Sequence, residues 1–305
     1  MLHRHAVEVV APATSANLGP GFDSLGLALS LYDRLRVRIL DAGLDVQVEG
    51  MCADEVPRDG NHLVVRAMRA AFAQMRQDPP GLALHCANGI PHGRGLGSSA
   101  AAIVGGIVAA RALVSDGAER LPDSAALELA ASLEGHPDNV AACLLGGLTI
   151  AWSDDRSGAG RAIRLDADVR AVVLVPEKPV STHIARALLP PSVAQRDAAA
   201  NAGRAALLVS ALSGDAALRT SDVLLAATRD WLHQGSRASA MPCTMDLVVR
   251  LRERGHAAVV SGAGPSVLVL LAADGDADDV CRDLPDGWHC HLLDVDQRGA
   301  RVVSA

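Results

Sequence analysis

The sequence contains few aromatic residues and carries an excess of negative charge. Aromatic residues make up only 2% of the 305 residues, and the formal net charge is −7. Few aromatic rings are available to stack on nucleic-acid bases, and an acidic chain is repelled by a phosphate backbone. A nucleic-acid-binding function is therefore disfavoured, and the hydrophobic core has to be built from alanine, valine and leucine.

Lysine is almost absent. The chain contains a single lysine, Lys178, within the stretch Pro-Glu-Lys-Pro. A P-loop NTPase needs a lysine directly after its glycine-rich loop, because that charge meets the β- and γ-phosphates of the nucleotide. Lys178 lies far from any run of glycines, so a Walker A nucleotide site is excluded.

Long apolar runs and paired cysteines are also missing. The longest apolar segment, 100–114, is interrupted by two glycines and an arginine and is shorter than the roughly 18 residues of a membrane span. The N-terminus leads into Val7 without an apolar signal sequence, and the six cysteines form no C-x-x-C pair. These absences predict a cytoplasmic protein with reduced thiols and no membrane partner. A metal cluster at Cys281, Cys290 and the neighbouring histidines is disfavoured, because those residues alternate as in a strand.

The most distinctive stretch is residues 91–101, Pro-His-Gly-Arg-Gly-Leu-Gly-Ser-Ser-Ala-Ala. Glycine tolerates positive φ and lets the backbone approach a ligand closely, and serine is a typical N-cap residue for the apolar run that follows. A glycine-rich turn that leads into a helix offers free N–H groups and the positive end of the helix dipole to an anion. The stretch therefore predicts either a phosphate site or a connection with only a structural role.

Two other glycine-rich motifs fit this stretch less well. The dinucleotide-binding pattern G-x-G-x-x-G has Ser98 at its third glycine position. Asp116 lies in a loop after the helix, whereas a ribose-binding carboxylate belongs at the end of a second strand. The glycine loop of protein kinases continues into a strand, but small helix-forming residues follow here. We therefore expect neither motif.

Hydrophobic periodicity predicts strands and helices in both halves of the chain. Strands are expected at 6–11, 25–31, 34–40, 45–49, 82–86, 148–152, 170–176, 257–260, 267–272 and 288–295. Helices are expected at 61–77, 99–114, 123–133, 182–188, 193–212, 244–254 and 276–284. The polar stretch 153–161 is the best candidate for a linker or hairpin, so we predict domains at 1–155 and 156–305. The mixture of elements predicts an α+β fold.

Three separated motifs together resemble the signatures of the GHMP family of small-molecule kinases. They are Pro-Ala-Thr-Ser-Ala-Asn-Leu-Gly-Pro-Gly-Phe-Asp at 12–23, the glycine loop at 91–101, and Ser-Gly-Ala-Gly-Pro-Ser at 261–266. The segments Glu-Gly-His-Pro-Asp-Asn at 134–139 and Ser-Thr-His-Ile-Ala-Arg at 181–186 are similar to the homoserine kinase branch of that family. The resemblance implies a two-domain α+β fold, with an N-terminal domain like ribosomal protein S5 and a ferredoxin-like C-terminal domain.

The resemblance implies an activity, which is the ATP- and Mg²⁺-dependent phosphorylation of the hydroxyl of L-homoserine in threonine biosynthesis. The residue chemistry agrees with it, because the carboxylate of homoserine suits arginine and its ammonium group suits an acidic side chain. By resemblance, substrate binding is assigned to Asn17, Asp23, Asn139, Arg186 and Arg237. Catalysis at the hydroxyl end is assigned to Asn17, His136 and Asn139.

The resemblance also assigns the nucleotide and metal sites. Phosphoryl transfer depends chiefly on positioning and on neutralisation of charge, so backbone N–H groups and a bound metal would replace the missing lysine. ATP binding is assigned to Asn61, Pro91, Gly93, Arg94, Gly95, Leu96, Gly97, Ser98, Ser99, Ala100, Ala101, Gly262 and Gly264, with Val64 and Val65 beside the adenine and ribose. Magnesium is assigned to Ser98 or Ser99 together with Glu128.

Several alternatives stay open on the sequence alone. Asp138 is the counterpart of the aspartate base of other GHMP kinases, although the homoserine branch is thought to pass the proton to the γ-phosphate. A sibling kinase with a mevalonate-like or sugar substrate would have no ammonium group for Asp23 to bind. A non-catalytic sensor of this fold is disfavoured, because Ser98, Ser99 and Glu128 are all present. The family further implies a homodimer.

Overall fold

The computed structural model describes residues 2–3, 5–180, 182–273, 275–282 and 284–304. The first half of the chain forms β1 (Val7–Asn17), β2 (Gly21–Leu40), β3 (Gly43–Gly50), α1 (Leu63–Gln74), β4 (Gly81–Asn88), α2 (Ser98–Ala112), α3 (Gly117–Arg120), α4 (Asp123–Glu134), α5 (Asp138–Leu145) and β5 (Leu148–Ser153). The second half forms β6 (Gly160–Leu165), β7 (Arg170–Pro176), α6 (Thr182–Ala187), α7 (Gln195–Ser213), α8 (Ser221–Ala227), α9 (Gln234–Arg237), α10 (Pro242–Glu253), β8 (Ala257–Val260), β9 (Val267–Leu271), α11 (Ala277–Cys281), β10 (Trp288–Asp294) and β11 (Arg301–Ser304).

The strands of the described residues form two sheets. The larger sheet has the order β11–β1–β2–β4–β3, with β5 paired to β2 and β6 paired to β5. The smaller sheet has the order β10–β7–β9–β8 and is antiparallel throughout. Helices accompany both sheets, which confirms the α+β fold class. No helix of the described residues is long and apolar enough to cross a membrane.

One long strand replaces two predicted ones in the larger sheet. β2 runs for 20 residues, and its register against β1 shifts between Pro12 and Ala13. Such a bulge bends a strand without ending it, so β2 can pair with β1, β4 and β5. Where the sequence predicted a break, the buried carboxylate of Asp33 accepts hydrogen bonds from the N–H groups of Gly89 and Ile90, both at 2.9 Å. That contact fixes the path of the chain just before the glycine loop.

The helix after the glycine loop is buried on every side, as its composition predicts. Its residues from Ala100 to Ala110 are almost all buried, and it packs on α1 and β1. A Cβ atom at Gly105 would lie 2.5 Å from the side chain of Leu35, and one at Gly106 would lie 2.8 Å from the carbonyl oxygen of Val64. Small residues therefore let α2 approach the sheet and α1 closely enough to hold its N-terminus in place.

The stretch 153–161 forms the turn of a hairpin. β5 and β6 pair in antiparallel register from Leu148 opposite Leu165 to Ser153 opposite Gly160. Both strands belong to the larger sheet, so the predicted division after residue 155 cuts through this hairpin. We propose instead that the two units divide between Leu165 and Arg170, with β11 returning to the larger sheet at the end of the chain.

The cysteines differ in one respect from the expected reduced thiols. Cys281 in α11 and Cys290 in β10 are joined by a disulfide, so the prediction is wrong for this pair. The remaining four are free; Cys86 and Cys143 are buried, whereas Cys243 is exposed. The histidine–cysteine alternation lies on β10, as predicted, because an edge strand alternates its side chains between two faces.

Candidate active site

The glycine loop approaches β1 and the loop after β8 so closely that side chains are excluded. Gly93, Gly95 and Gly97 have φ angles of 66°, 72° and 67°. A Cβ atom at Gly95 would lie 2.2 Å from the carbonyl oxygen of Ser261, and one at Gly97 would lie 1.9 Å from Oγ1 of Thr14. Because glycine alone fits these contacts without strain, the loop has its backbone, and not side chains, available for a ligand.

The loop ends at the N-terminus of α2, where no side chain caps the helix. The N–H of Ala101 donates to the carbonyl of Gly97 at 2.9 Å, and this bond begins the helical ladder. The N–H groups of the preceding turn have no intrahelical acceptor, and the positive end of the helix dipole lies at the same place. The arrangement favours a bound phosphate group.

Other residues of the predicted ATP-binding stretch lie behind the loop. The side chains of Pro91, Leu96, Ala100 and Ala101 are buried in the protein. The guanidinium of Arg94 donates to the carbonyls of His92 and Glu177. These residues hold the loop in place, so any contact that they make with a nucleotide would come from their backbones.

A cavity of about 180 Å³ opens beside the loop and α2. It contains every residue that the sequence assigned to substrate binding or catalysis, although these residues come from distant segments. The lining residues are Ala16, Asn17, Asp23, Gly93, Gly95, Gly97, Ser98, Ser99, Glu134, His136, Asp138, Asn139, Arg186, Arg237, Gly262 and Ala263. We call it the acceptor cavity. Ser181, which begins one of the motifs, lies outside the described residues.

One wall of the acceptor cavity is an ion pair held by an amide. Asp23 forms a bidentate pair with Arg186, with O···N distances of 2.7 and 3.1 Å. Asn17 accepts a hydrogen bond from the N–H of Asp23 at 3.0 Å and donates from Nδ2 to the carbonyl of Gly262 at 2.9 Å. Asn17 and Asp23 have φ angles of 69° and 53°, a region in which Asn and Asp occur more readily than most residues. The first and third motifs are thus joined at this wall.

The guanidinium of Arg237 forms no ion pair with a carboxylate of the described residues. The residue is only 2% exposed, and its Nε donates to the carbonyl of Ala185 at 3.2 Å. Burial, with a smaller contribution from the charge of Arg186, lowers the pKa of Arg237. A buried charge without a counterion is costly, so this guanidinium favours the binding of an anionic group in the cavity.

His136, Asp138 and Asn139 form a connected set at the start of α5. Nδ1 of His136 lies 2.7 Å from Oδ1 of Asp138, and the same oxygen accepts from the N–H of Asn139 at 2.7 Å. The hydrogen bond to Asp138 raises the pKa of His136, which favours the imidazolium near neutral pH. Asn139 in turn accepts a hydrogen bond from Thr14 at 2.7 Å, so its side chain is fixed relative to the first motif.

Glu128, the predicted metal ligand, is engaged elsewhere in this structure, and its role stays a prediction. Its side chain pairs with Arg161, is 41% exposed, and does not line the acceptor cavity. Glu134 does line it, and its Oε1 accepts a hydrogen bond from Oγ of Ser99 at 2.5 Å. The two glutamates lie six positions apart on α4, so their side chains point in directions about 120° apart. In the sequence, Glu134 stands at the head of the 134–139 motif.

Burial raises the pKa of Glu134, although the hydrogen bond from Ser99 opposes the shift. A carboxylate and a hydroxyl at the N-terminus of α2 are hard oxygen donors, which Mg²⁺ prefers. The donor set therefore fits a magnesium ion held beside the phosphate-binding turn.

A second cavity lies on the other side of Ser98 and Ser99, and we call it the nucleotide cavity. Its lining residues are Asp33, Leu35, Val56, Pro57, Asn61, His62, Leu63, Val64, Asn88, His92, Ser98, Ser99 and Ala102. Asn61 and Val64 lie in it, as the resemblance implied. Val65 does not, because its side chain is turned into the core.

His62 stands out among the residues of the nucleotide cavity. It is 6% exposed, and its Nδ1 has no hydrogen-bond partner among the described residues although it is shielded from solvent. Burial, with a smaller contribution from His92, lowers the pKa of His62 and favours the neutral ring. Sequence analysis did not single out this residue, because a lone histidine in a helical pattern carries no functional signal.

The two glycines of the third motif differ in position. Gly262 lines the acceptor cavity with a φ of 56°. Gly264 lies behind it, where its N–H donates to the carbonyl of Ser261 at 2.8 Å and a Cβ atom would lie 2.6 Å from Sδ of Met241. Gly264 therefore shapes the loop rather than lining the cavity.

Comparison with known proteins shows similarity over nearly the whole chain. A family model described as the N-terminal domain of GHMP kinases matches residues 62–147. The homoserine kinase of Streptomyces avermitilis is 56% identical, with 98% of this chain and 96% of that protein covered. The homoserine kinase of Clavibacter michiganensis is 51% identical, with 97% and 93% covered.

Solved structures agree with these relatives. The crystal structure of homoserine kinase from Cytophaga hutchinsonii superposes with a TM-score of 0.84 at 26% identity, covering 98% of this chain and 97% of that one. The structure of a putative homoserine kinase from Listeria monocytogenes has a TM-score of 0.75 at 30% identity, covering 98% and 99%.

Proposed function

Because the chain belongs to the homoserine kinase family of the GHMP kinases, we infer that it transfers the γ-phosphoryl group of ATP to the hydroxyl of L-homoserine. The product is O-phospho-L-homoserine, a precursor in threonine biosynthesis. One observation supports this acceptor above all: the buried guanidinium of Arg237 lies in the same cavity as the carboxylate of Asp23, directly beside an anion-binding loop. A small zwitterion with a hydroxyl matches that set of charges.

The charged wall of the acceptor cavity suggests how homoserine is oriented. Arg237 and Arg186 would bind the carboxylate, because a guanidinium forms two parallel hydrogen bonds with it. Asp23 would bind the ammonium group in exchange for part of its pairing with Arg186. The hydroxyl would then point towards Asn17, His136 and Asn139, close to the N-terminus of α2.

The transfer needs a proton to leave the hydroxyl as its oxygen bonds to the γ-phosphorus and the bond to the β-phosphate oxygen breaks. We propose that the proton passes to a γ-phosphate oxygen, while His136 and Asn139 orient the hydroxyl. The Asp138 carboxylate is committed to His136 and to the N–H of Asn139, which suits an orienting role. A general base typically contributes about 10²–10⁴-fold to the rate. Because Asp138 would only orient its neighbours, Asp138→Asn should lower kcat by less than about tenfold. A larger loss, with the fold intact by circular dichroism, would make Asp138 the base.

ATP would bind with its base in the nucleotide cavity, near Asn61 and Val64, and its phosphates against the glycine loop. We propose that Mg²⁺ is held by Glu134 together with Ser98 or Ser99. The ion would neutralise phosphate charge in the transition state, a contribution that P-loop enzymes share between their metal and lysine. The loop N–H groups would hold the phosphates in the reacting position.

A coupled assay of ADP release tests the proposal against its alternatives. Turnover with L-homoserine and not with mevalonate or galactose is expected. Turnover with mevalonate or galactose would indicate a sibling kinase, and no turnover with any acceptor would indicate a sensor. Mass spectrometry of the product should show one added phosphate on homoserine. Action in the cytoplasm stays a prediction from the sequence, and assembly as a homodimer stays one that the family implies.

A further inference from the structure

His233, which belongs to none of the motifs, lies directly behind the acceptor cavity. Its side chain is 0% exposed. Its Nε2 lies 2.8 Å from the carbonyl oxygen of Gly19, in the turn between β1 and β2. Its Nδ1 lies 3.3 Å from Nη1 of Arg237, one turn further along the chain. Both ring nitrogens are therefore engaged, one with the first motif and the other with the buried guanidinium.

The chemistry of these two neighbours determines the state of the imidazole. A carbonyl oxygen can only accept, so Nε2 must carry a hydrogen. A guanidinium nitrogen can only donate, so Nδ1 must be bare. Only the neutral Nε2–H tautomer satisfies both contacts, because a proton on Nδ1 would place two N–H groups face to face.

Few other contacts hold the guanidinium of Arg237. Its Nε donates to the carbonyl of Ala185 at 3.2 Å, and its Nη1 makes a long contact of 3.4 Å with the carbonyl of Gly262. None of the hydrogen bonds among the described residues uses Nη2. Phe22 covers one side, with its ring 5.3 Å from the guanidinium carbon and stacked 5.0 Å from the ring of His233. The bond from Nη1 to His233 is thus one of the few directional contacts that orient Arg237.

We propose that His233 is a positioning residue for homoserine binding, which orients Arg237 towards the substrate carboxylate and does so only as the neutral Nε2–H tautomer. This inference rests on the proposed function of the acceptor cavity. It goes further by assigning a role to a residue that would not itself touch the substrate.

The charges around the ring set the direction of the pH effect. Asp230, whose Oδ1 lies 3.7 Å from Nε2, and Asp23 on β2 favour the imidazolium, whereas Arg237 on α9 opposes it. Burial outweighs them and lowers the pKa of His233. The neutral ring is therefore present at neutral pH, and its contact with Arg237 is lost only as the pH falls below the ordinary range of histidine. Homoserine affinity should fall with it.

Two substitutions separate a positioning role from a structural one. His233→Gln keeps a neutral side chain that can both donate and accept, whereas His233→Phe keeps the ring and removes both hydrogen bonds. At pH 7.5, His233→Phe should raise KM for homoserine at least about tenfold, as expected for loss of a contact to a charged group. His233→Gln should stay within about threefold, and KM for ATP should stay within about twofold in both. His256→Gln, at an ion pair with Asp279, is the matched control and should change neither constant, because His256 lines neither of the two cavities.

The pH profile tests the tautomer. His136 titrates both in the unmodified protein and in His233→Gln. The KM for homoserine of the unmodified protein, divided by that of His233→Gln, therefore isolates the effect of His233. This ratio should rise as the pH is lowered from 7.5 and the imidazolium forms, because the charged ring releases Arg237. A ratio that stays constant at a pH where nitrogen-15 spectra show the His233 imidazolium would overturn the proposal, as would equal KM values for His233→Phe and the unmodified protein.

Nitrogen-15 spectra give a readout that does not depend on turnover. At pH 7.5, the signals lost in His233→Gln should be those of a neutral Nε2–H imidazole. Signals of an Nδ1–H tautomer or of an imidazolium would contradict the proposal. This test holds even if His233→Phe fails to fold. Failure of the proposed function has a different signature, since the unmodified protein would then not phosphorylate homoserine at any pH.

Discussion

The two cavities that meet at Ser98 and Ser99 are built in contrasting ways. The acceptor cavity gathers charged and amide side chains from distant segments, including Asp23, Arg186 and Arg237. The nucleotide cavity places apolar side chains such as Val56, Leu63 and Val64 beside polar ones, and no arginine is among its lining residues. The phosphates of ATP would lie against the backbone of the adjoining glycine loop. We therefore expect charge to select the acceptor, and shape and backbone geometry to select the nucleotide.

This difference predicts opposite sensitivities to mutation. A change of charge in the acceptor cavity should act on KM for homoserine and spare ATP. An added methyl group in the glycine loop should lower kcat/KM for ATP, although it changes no charge. The junction between the cavities should matter to both substrates, because the transferred phosphoryl group has to pass there.

Removal of the carboxylate charge at the junction should have the largest effect. Glu134→Gln keeps the size of the side chain and its contact with Ser99 but loses the charge that would hold Mg²⁺. We expect kcat to fall by about 10²–10³-fold, similar to the loss of one preorganised electrostatic contact in other enzymes, with a higher Mg²⁺ concentration needed for half-maximal rate. Glu128→Gln, on the same helix, should change kcat by less than about twofold. The reverse order, measured by initial rates against MgCl₂, would restore Glu128 as the ligand.

A single methyl group in the glycine loop should come next. Gly95→Ala would place its Cβ 2.2 Å from a backbone oxygen and at a φ of 72°, so either this loop or the 261–264 loop has to move. A displacement of about 1 Å in a positioning element can cost about 10²-fold in rate, and we expect that loss in kcat/KM for ATP. Gly158→Ala is the control, because Gly158 has a φ of 69° but no atom within 4 Å of its Cβ position. Equal losses in the two variants would mean that backbone strain alone, and not the contact with Ser261, explains the effect.

The sequence predicts well the features that depend on neighbouring residues and predicts poorly those that depend on contacts between distant segments. β7 and β8 begin and end where their apolar runs do, because buried strands need continuous hydrophobic residues. The glycine loop and the helix after it were predicted equally well, since they are contiguous in the sequence. α8 and α9 were missed, because helices of seven and four residues leave almost no periodic signal.

Other features depend on contacts that no local pattern records. β6 was not predicted, and its first two residues were placed in the linker, because its place in the larger sheet depends on pairing with β5. β11 was not predicted either, and it reaches the same sheet from the end of the chain. The hydrogen bond between Ser99 and Glu134 was not predicted, because it depends on which face of α4 meets Ser99. The ring of His233 contacts the carbonyl of Gly19, more than two hundred residues earlier in the sequence.

Neutralisation of the acceptor wall should have a smaller effect than changes at the junction or in the loop. Asp23→Asn keeps the shape of the side chain and removes the charge that would bind the ammonium group of homoserine. Because hydrogen bonds to charged groups contribute about 1.5–3 kcal/mol, KM for homoserine should rise about 10- to 100-fold while KM for ATP stays within about twofold. Asp166→Asn removes an exposed carboxylate paired with Arg164 and serves as the control. An equal rise in both KM values would show that Asp23 supports the site as a whole and does not select the acceptor.

His62 provides the smallest and most selective test, because its buried Nδ1 has no hydrogen-bond partner among the described residues, unlike the other polar side chains of the nucleotide cavity. If its unpartnered ring hydrogen-bonds the base of ATP, His62→Leu should raise KM for ATP about 3- to 10-fold, the value of one neutral hydrogen bond, and leave KM for homoserine unchanged. The same change removes a buried polar atom without a partner, so the melting temperature of the nucleotide-free protein should not fall. His85→Leu, at an exposed histidine paired with Glu49 on the same sheet, should alter neither KM. A lower melting temperature with an unchanged KM for ATP would assign His62 to the core and leave the nucleotide cavity without a base-reading side chain at this position.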